Sequence, residues 1–218
     1  LKMDNTKFKS DPYNSRNRKI QVDEILNLMK SLNIEYQVTN LSLFQTAFVH
    51  NSYIKKSPSD LGDNVVICDK PEGALELMDN DYETLEFLGD AVVSIIVAKY
   101  LKERFPEEDE GYLTKMRTKL VNGEMLGYLA KQINLGEFAI MSRHIEDKCK
   151  GRESQHILED IFEAFLGAMF LDFNTMTLDQ YYDKYSQKSQ IYQKINTHIQ
   201  KLKKSSLKHY LGCEIFFL

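Results

Sequence analysis

The chain has 218 residues; 43% of them are hydrophobic, and only 4 are Pro and 10 are Gly. This length and composition allow one substantial core and argue against a long disordered or low-complexity chain. The formal net charge of −4 and the pI of about 5.8 argue against an evenly basic protein that binds nucleic acid by overall charge.

The first 19 residues are polar and carry charges of both signs, so we expect a loose arm. They lack the apolar stretch of a secretory signal, and no run in the chain approaches the roughly 18 apolar residues that span a membrane. Three widely spaced cysteines without a Cys-x-x-Cys pair predict reduced thiols. We therefore expect a cytoplasmic or nuclear protein that is neither secreted nor bound to a membrane.

Two helical patterns follow the arm, and the first segment of the chain is therefore predicted to be an arm and a helix over 1–39. The apolar stripe of the first helix is Ile20, Ile25, Leu28, Met29 and Leu32. A second stripe, capped by Asn40 or Ser42, is Leu41, Phe44, Ala47 and Phe48. Residues 54–81 lose this periodicity and contain several turn residues, so we interpret them as an inserted loop.

Residues 82–174 form the predicted core. Helical spacing of apolar residues predicts a long helix over Tyr82–Arg104 that Pro106 ends. Two further helices, separated near Asn122 and Gly123, and a strongly apolar helix from about Gln155 complete the pattern. No stretch alternates with period 2, which makes a sheet unexpected. The predicted fold class is all-α.

Four carboxylates interrupt the two most apolar helices. Glu86 and Asp90 are four residues apart, and Asp160 and Glu163 are three apart, so each pair lies on one helix face. Burial of unpartnered carboxylates costs several kcal/mol each, and such groups normally find cations. If the two faces meet, they make an oxygen-rich site suited to Mg²⁺.

Two glycines lie in the same helices, although glycine disfavours a helix by about 1 kcal/mol relative to Ala. Gly89 and Gly167 therefore suggest the close approach of a neighbouring helix or a ligand. From spacing alone, the acids could equally form the polar stripes of ordinary surface helices.

The wording of four blocks resembles the ribonuclease III family. The two longest are YETLEFLGDAV at 82–92 and ESQHILEDIFEAFLGAMFLD at 153–172. EGYLT at 110–114 resembles the family's acidic turn, and LFQTAFVHNSY at 43–53 resembles its first helix. The resemblance predicts a ribonuclease III catalytic domain over 40–174, interrupted by the insert at 54–81.

This resemblance implies an Mg²⁺-dependent endonuclease, with Mn²⁺ as a possible substitute, that hydrolyses double-stranded RNA to short 3′ overhangs with 5′-phosphate ends. It implies a homodimer in which the aromatic Phe87 fills a pocket of the partner. It also places Glu83 and Glu110 in the catalytic valley, in less direct roles. The catalytic and metal-binding positions that it implies are Glu86, Asp90, Asp160 and Glu163.

Two other functions remain to be weighed. A di-iron helical bundle needs two Glu-x-x-His motifs, but only His156 has a glutamate, Glu153, three residues before it. The second alternative is a ribonuclease III-like domain that binds RNA or a structural partner without cutting; all four acids are present, which favours the enzyme.

The segment 175–218 is rich in lysine and is expected to be helical. Seven lysines and no acidic residue lie between residues 184 and 208. We predict that this segment contributes to RNA binding, although a lysine run is as often a solvated helix face. The candidates for RNA contact in this segment are Lys201, Lys203 and Lys204.

Overall fold

Helices dominate the part of the chain that the structure, a computed structural model, describes: residues 8–61 and 64–173. The α-helices are α1 (Val22–Ser31), α2 (Leu41–Thr46), α3 (Pro58–Leu61), α4 (Glu83–Arg104), α5 (Glu110–Leu120), α6 (Gly123–Gln132), α7 (Arg143–Cys149) and α8 (Gln155–Asp172). Short 3₁₀ turns lie at Asn51–Tyr53, Leu135–Phe138 and Gly151–Glu153. The predicted helical class is confirmed, including the break at Asn122, whose side chain accepts from the backbone N–H of Met125 at 2.9 Å.

The central element of the fold is α8, which packs against α4, α6 and α2. Its apolar residues are buried on almost every side, among them Ile161, Phe162 and Phe165. A helix that is apolar all round is stable only inside a core, and this explains its place between the other helices. Within the described ranges, no helix has the length and hydropathy that crossing a membrane would require.

The expectation of a loose N-terminal arm is wrong for residues 8–19. Asn14 and Asn17 are buried, and both side-chain amides donate to the backbone carbonyl of Met141, at 3.3 and 2.9 Å. The Asn17 side chain in turn accepts from the N–H of Met141 at 3.2 Å. The arm is polar because its amides satisfy backbone groups of the buried 139–142 segment.

The insert at 54–81 is also more ordered than the predicted loop. Its strand β2 (Val65–Ile67) pairs in parallel with β1 (Phe8–Ser10) of the arm, so the expectation of no sheet is wrong at this one place among the described residues. Three-residue strands are too short to show alternation in a sequence. The base of the insert is closed by a bridge between Ile54 and Met78.

Asp172, at the end of α8, shows how this fold satisfies a buried carboxylate. The side chain accepts from the Tyr36 hydroxyl at 2.9 Å and from the Thr39 N–H at 3.1 Å, and it also bonds Asn40. These donors tie the segment before α2 to α8. The carboxylates near the middle of α8 have a different environment.

Candidate metal centre

Helices α4 and α8 meet at two glycines. A methyl group at Gly89 would overlap the backbone carbonyl of Glu163, and one at Gly167 would overlap that of Leu85. The two backbones are therefore in direct contact, which no larger residue would permit. The expectation that these glycines mark the close approach of a helix is confirmed.

The crossing brings the two pairs of acids into one cluster. Asp160 and Glu163 are buried on α8, whereas on α4 Glu86 is half-buried and Asp90 is exposed. Glu86 and Asp160 line the same open cavity, and the charge of Asp90 acts directly on Glu163. The structure thus gathers all four predicted carboxylates between the core and the solvent.

The electrostatics of this cluster are unfavourable without a cation. Burial raises the pKa of Glu163 to about 8, and the negative charges of Asp90, Glu159, Glu86 and Asp160 add to the effect. Burial also raises the pKa of Glu86, followed by the charges of Asp160 and Glu83. No positively charged Lys or Arg is among the groups that act on either carboxylate. This oxygen donor set fits a divalent cation.

A cavity of about 430 Å³ opens beside the cluster. Tyr82 lines it and donates from its hydroxyl to Oδ2 of Asp160 at 2.9 Å. Burial, and then the charge of Asp160, raises the pKa of this phenol, so it stays a donor. His50 packs edge-on against Tyr82, and burial lowers the pKa of its imidazole. The Ser52 N–H donates to Nδ1 of His50 at 3.0 Å, which leaves the ring proton of the neutral imidazole on Nε2.

Two residues at the start of α8 were missed as site residues. His156 Nδ1 lies 3.2 Å from Oδ1 of Asp160 and 3.6 Å from Oε2 of Glu159. Among the described residues, these three form a group whose potential ligand atoms all lie within 4.8 Å of one another. The i, i+3 and i+4 spacing was visible in the sequence, but it also fits a solvated helix face.

The other predicted residues lie in different places. Glu83 lines the cavity and accepts from the Asn51 side chain at 2.9 Å. Glu110, in contrast, accepts from the Thr114 hydroxyl at the start of α5 and lies near Leu101. Leu101 is 15 residues beyond Glu86, or about 20 Å along α4. Within one chain, Glu110 is therefore not part of the cluster.

Phe87 projects from α4 into solvent, with 82% of its surface exposed. It does not pack in the core of its own chain. The predicted RNA-contacting lysines, Lys201, Lys203 and Lys204, lie outside the described residues.

Comparison with known proteins was made for sequence and for fold. The family model of the ribonuclease III domain matches residues 83–174, which include all four clustered acids. The nuclease domain of ribonuclease III from Campylobacter jejuni is 30% identical, with a TM-score of 0.59, and the match covers 78% of this chain and 96% of that domain. The chain belongs to the ribonuclease III family. A second structure of the same Campylobacter domain gives 27% identity, a TM-score of 0.53, and coverage of 89% and 99%.

Full-length members of the ribonuclease III family extend beyond the matched region. The ribonuclease 3 of Chloroflexus aurantiacus is 38% identical over 150 residues, which are 69% of this chain and 54% of that protein. The ribonuclease 3 of Lactococcus lactis subsp. lactis is 36% identical over 150 residues, 68% of this chain and 57% of that protein. The chain thus spans about half the length of the curated relatives that it matches.

Proposed function

We propose that this ribonuclease III domain is an Mg²⁺-dependent endoribonuclease that hydrolyses phosphodiester bonds of double-stranded RNA. The observation that carries the proposal is the convergence of the four carboxylates where α4 crosses α8. The names of its family relatives support ribonuclease activity. Mn²⁺ is expected to substitute for Mg²⁺, because both ions accept carboxylate and water ligands.

The side chains of the cluster would hold the metal ion. Asp160 would present Oδ1, because its Oδ2 is held by the Tyr82 hydroxyl. Glu163 would give up its proton as the cation binds, since the positive charge removes the cause of its raised pKa. Mg²⁺ bound here would lower the pKa of a water molecule and stabilise the departing 3′ oxygen. The exposed edge at Asp90 leaves this centre open to a phosphate.

We also propose that two copies of the chain form the active enzyme. Phe87, Ala91 and Ile95 are exposed at four-residue intervals along α4, next to the acidic cluster. An apolar stripe of this kind suits burial against a second copy, with Phe87 as the anchor. One of the matched Campylobacter jejuni structures is described for flexibility in a region involved in dimer formation.

The proposal is tested with a long RNA duplex incubated with and without Mg²⁺. We expect fragmentation only with the metal, loss of cutting when EDTA is added, and no cutting of a DNA duplex of the same sequence. Cleavage should be lost in Asp90→Asn, because the amide keeps the shape of the carboxylate but not its charge. An intact duplex in the presence of Mg²⁺, or fragmentation with EDTA, would contradict the proposed function.

A further inference from the structure

His156 lies at the edge of the acidic cluster, in the first turn of α8, and its side chain is 81% exposed. Its Nδ1 atom nevertheless faces two carboxylate oxygens, Oδ1 of Asp160 at 3.2 Å and Oε2 of Glu159 at 3.6 Å. A charge-assisted hydrogen bond between imidazole and carboxylate would be about 2.7–2.9 Å long. Both separations are longer, so direct ion pairing alone does not account for the arrangement.

The same separations match neighbouring ligands of one metal ion. With metal–ligand bonds of about 2.1 Å, two ligand atoms at a right angle are about 3.0 Å apart, and two at the tetrahedral angle are about 3.4 Å apart. The distances from His156 to Asp160 and Glu159 lie close to this range. One nitrogen and two oxygens therefore form one face of a coordination site.

The two carboxylates are held in place by other elements. Only 10% of the Asp160 side chain is exposed, and its Oδ2 accepts from the Tyr82 hydroxyl, which leaves Oδ1 for His156. The Glu159 carboxylate packs against Gly123, where a methyl group would overlap it. Partners outside the ligand shell that fix its orientation are typical of metal sites.

We propose that His156, Glu159 and Asp160 form a second cation site, selective for a first-row transition-metal ion, that shares Asp160 with the four-carboxylate centre. Imidazole is a good ligand for transition metals, whereas Mg²⁺ takes oxygen ligands almost exclusively. A shared carboxylate is the usual link between two ions in phosphodiester-cleaving sites. The link to catalysis rests on the proposed function, but metal binding does not.

The experiment uses Mn²⁺ as the probe and requires no RNA. Mn²⁺ is added below one equivalent in the presence of excess Mg²⁺, which fills oxygen-only positions, and electron spin-echo modulation from nitrogen-14 is recorded. We expect imidazole nitrogen modulation in the wild type and its loss in His156→Gln. The Mn²⁺ dissociation constant should rise at least about tenfold in this variant, while Mg²⁺ affinity changes less.

Two further variants make the result specific. His144→Gln removes an exposed histidine of α7 and should leave the modulation and the Mn²⁺ affinity unchanged. Glu159→Gln should weaken Mn²⁺ binding but retain the modulation when the ion is saturating. Circular dichroism checks that each variant folds.

Modulation that persists in a folded His156→Gln protein, or an unchanged Mn²⁺ affinity, would overturn the second site. Because no cleavage is measured, this failure is distinct from a failure of the proposed nuclease. A chain that binds Mn²⁺ through His156 but never cuts RNA would retain the site and lose the function.

Discussion

Replacement of Glu163 by Gln tests the electrostatic cause of metal binding. In the metal-free folded chain, burial and neighbouring acids raise the pKa of Glu163 from 4.5 to about 8. The unfolded chain loses the same proton near its ordinary pKa of 4.5. Between these two values the folded state binds the extra proton, so its stability decreases as pH rises. Glu163→Gln has no such proton to lose, and its stability should not show this decrease.

The magnitude follows from the difference between the two pKa values. At about 1.4 kcal/mol per pKa unit, ionised Glu163 lowers the free energy of unfolding by at most about 5 kcal/mol. This is an upper limit, because α4 and α8 can separate slightly and hydrate the carboxylate. The variant and the wild type should therefore be equally stable near pH 4.5. The variant should be more stable by up to this amount at pH 8 and above.

The assay is urea unfolding followed by circular dichroism, since the chain has no Trp. It is run in EDTA from pH 5 to pH 9, and Glu72→Gln, a change at an exposed carboxylate of the insert, is the control. Addition of Mg²⁺ at pH 8 should stabilise the wild type and have much less effect on Glu163→Gln. Equal pH profiles for the wild type and Glu163→Gln would refute the electrostatic reasoning.

Three further changes test other parts of the account. Phe87→Ala should give folded monomers in sedimentation; intact dimers at low micromolar concentration would contradict its role as the anchor. Gly89→Ala places a methyl group against the α8 backbone and should cost about 1–3 kcal/mol or more in urea unfolding; unchanged stability would contradict the close helix crossing. The third change replaces by Gln three lysines of the C-terminal segment, Lys201, Lys203 and Lys204. It should flatten the salt dependence of RNA binding by about 0.9 in log–log slope per lost phosphate contact, and an unchanged slope would leave the segment as a solvated face.

The cluster was predictable because its acids interrupt apolar helices. Glu86 and Asp160 stand out against their neighbours, and Gly89 indicates where the helices meet. Glu159 and His156 did not stand out, because acids and histidines on an exposed helix face are common. Their role depends on the distances between side chains, which the sequence does not contain.

The periphery of the fold was harder to predict. The buried side chains of Asn14 and Asn17 bond a backbone segment more than 120 residues away, and local sequence carries no signal of such a contact. Strand β2 in the insert likewise depends on a partner in the arm. Glu110 was placed with the catalytic acids by resemblance alone, and its position on α5 separates it from them within one chain.

The measurement that tests the central claim most directly is an analysis of the fragment ends after incubation of an RNA duplex with Mg²⁺. Attack of water on phosphorus with departure of the 3′ oxygen leaves 5′-phosphate and 3′-hydroxyl ends and does not involve the 2′-hydroxyl. Two sites related by a two-fold axis should cut the strands at offset positions, giving 3′ overhangs of about two nucleotides. End-labelling and sequencing should recover these ends from the wild type and none from Asp90→Asn. Fragments with 2′,3′-cyclic phosphate or blunt ends would contradict the account.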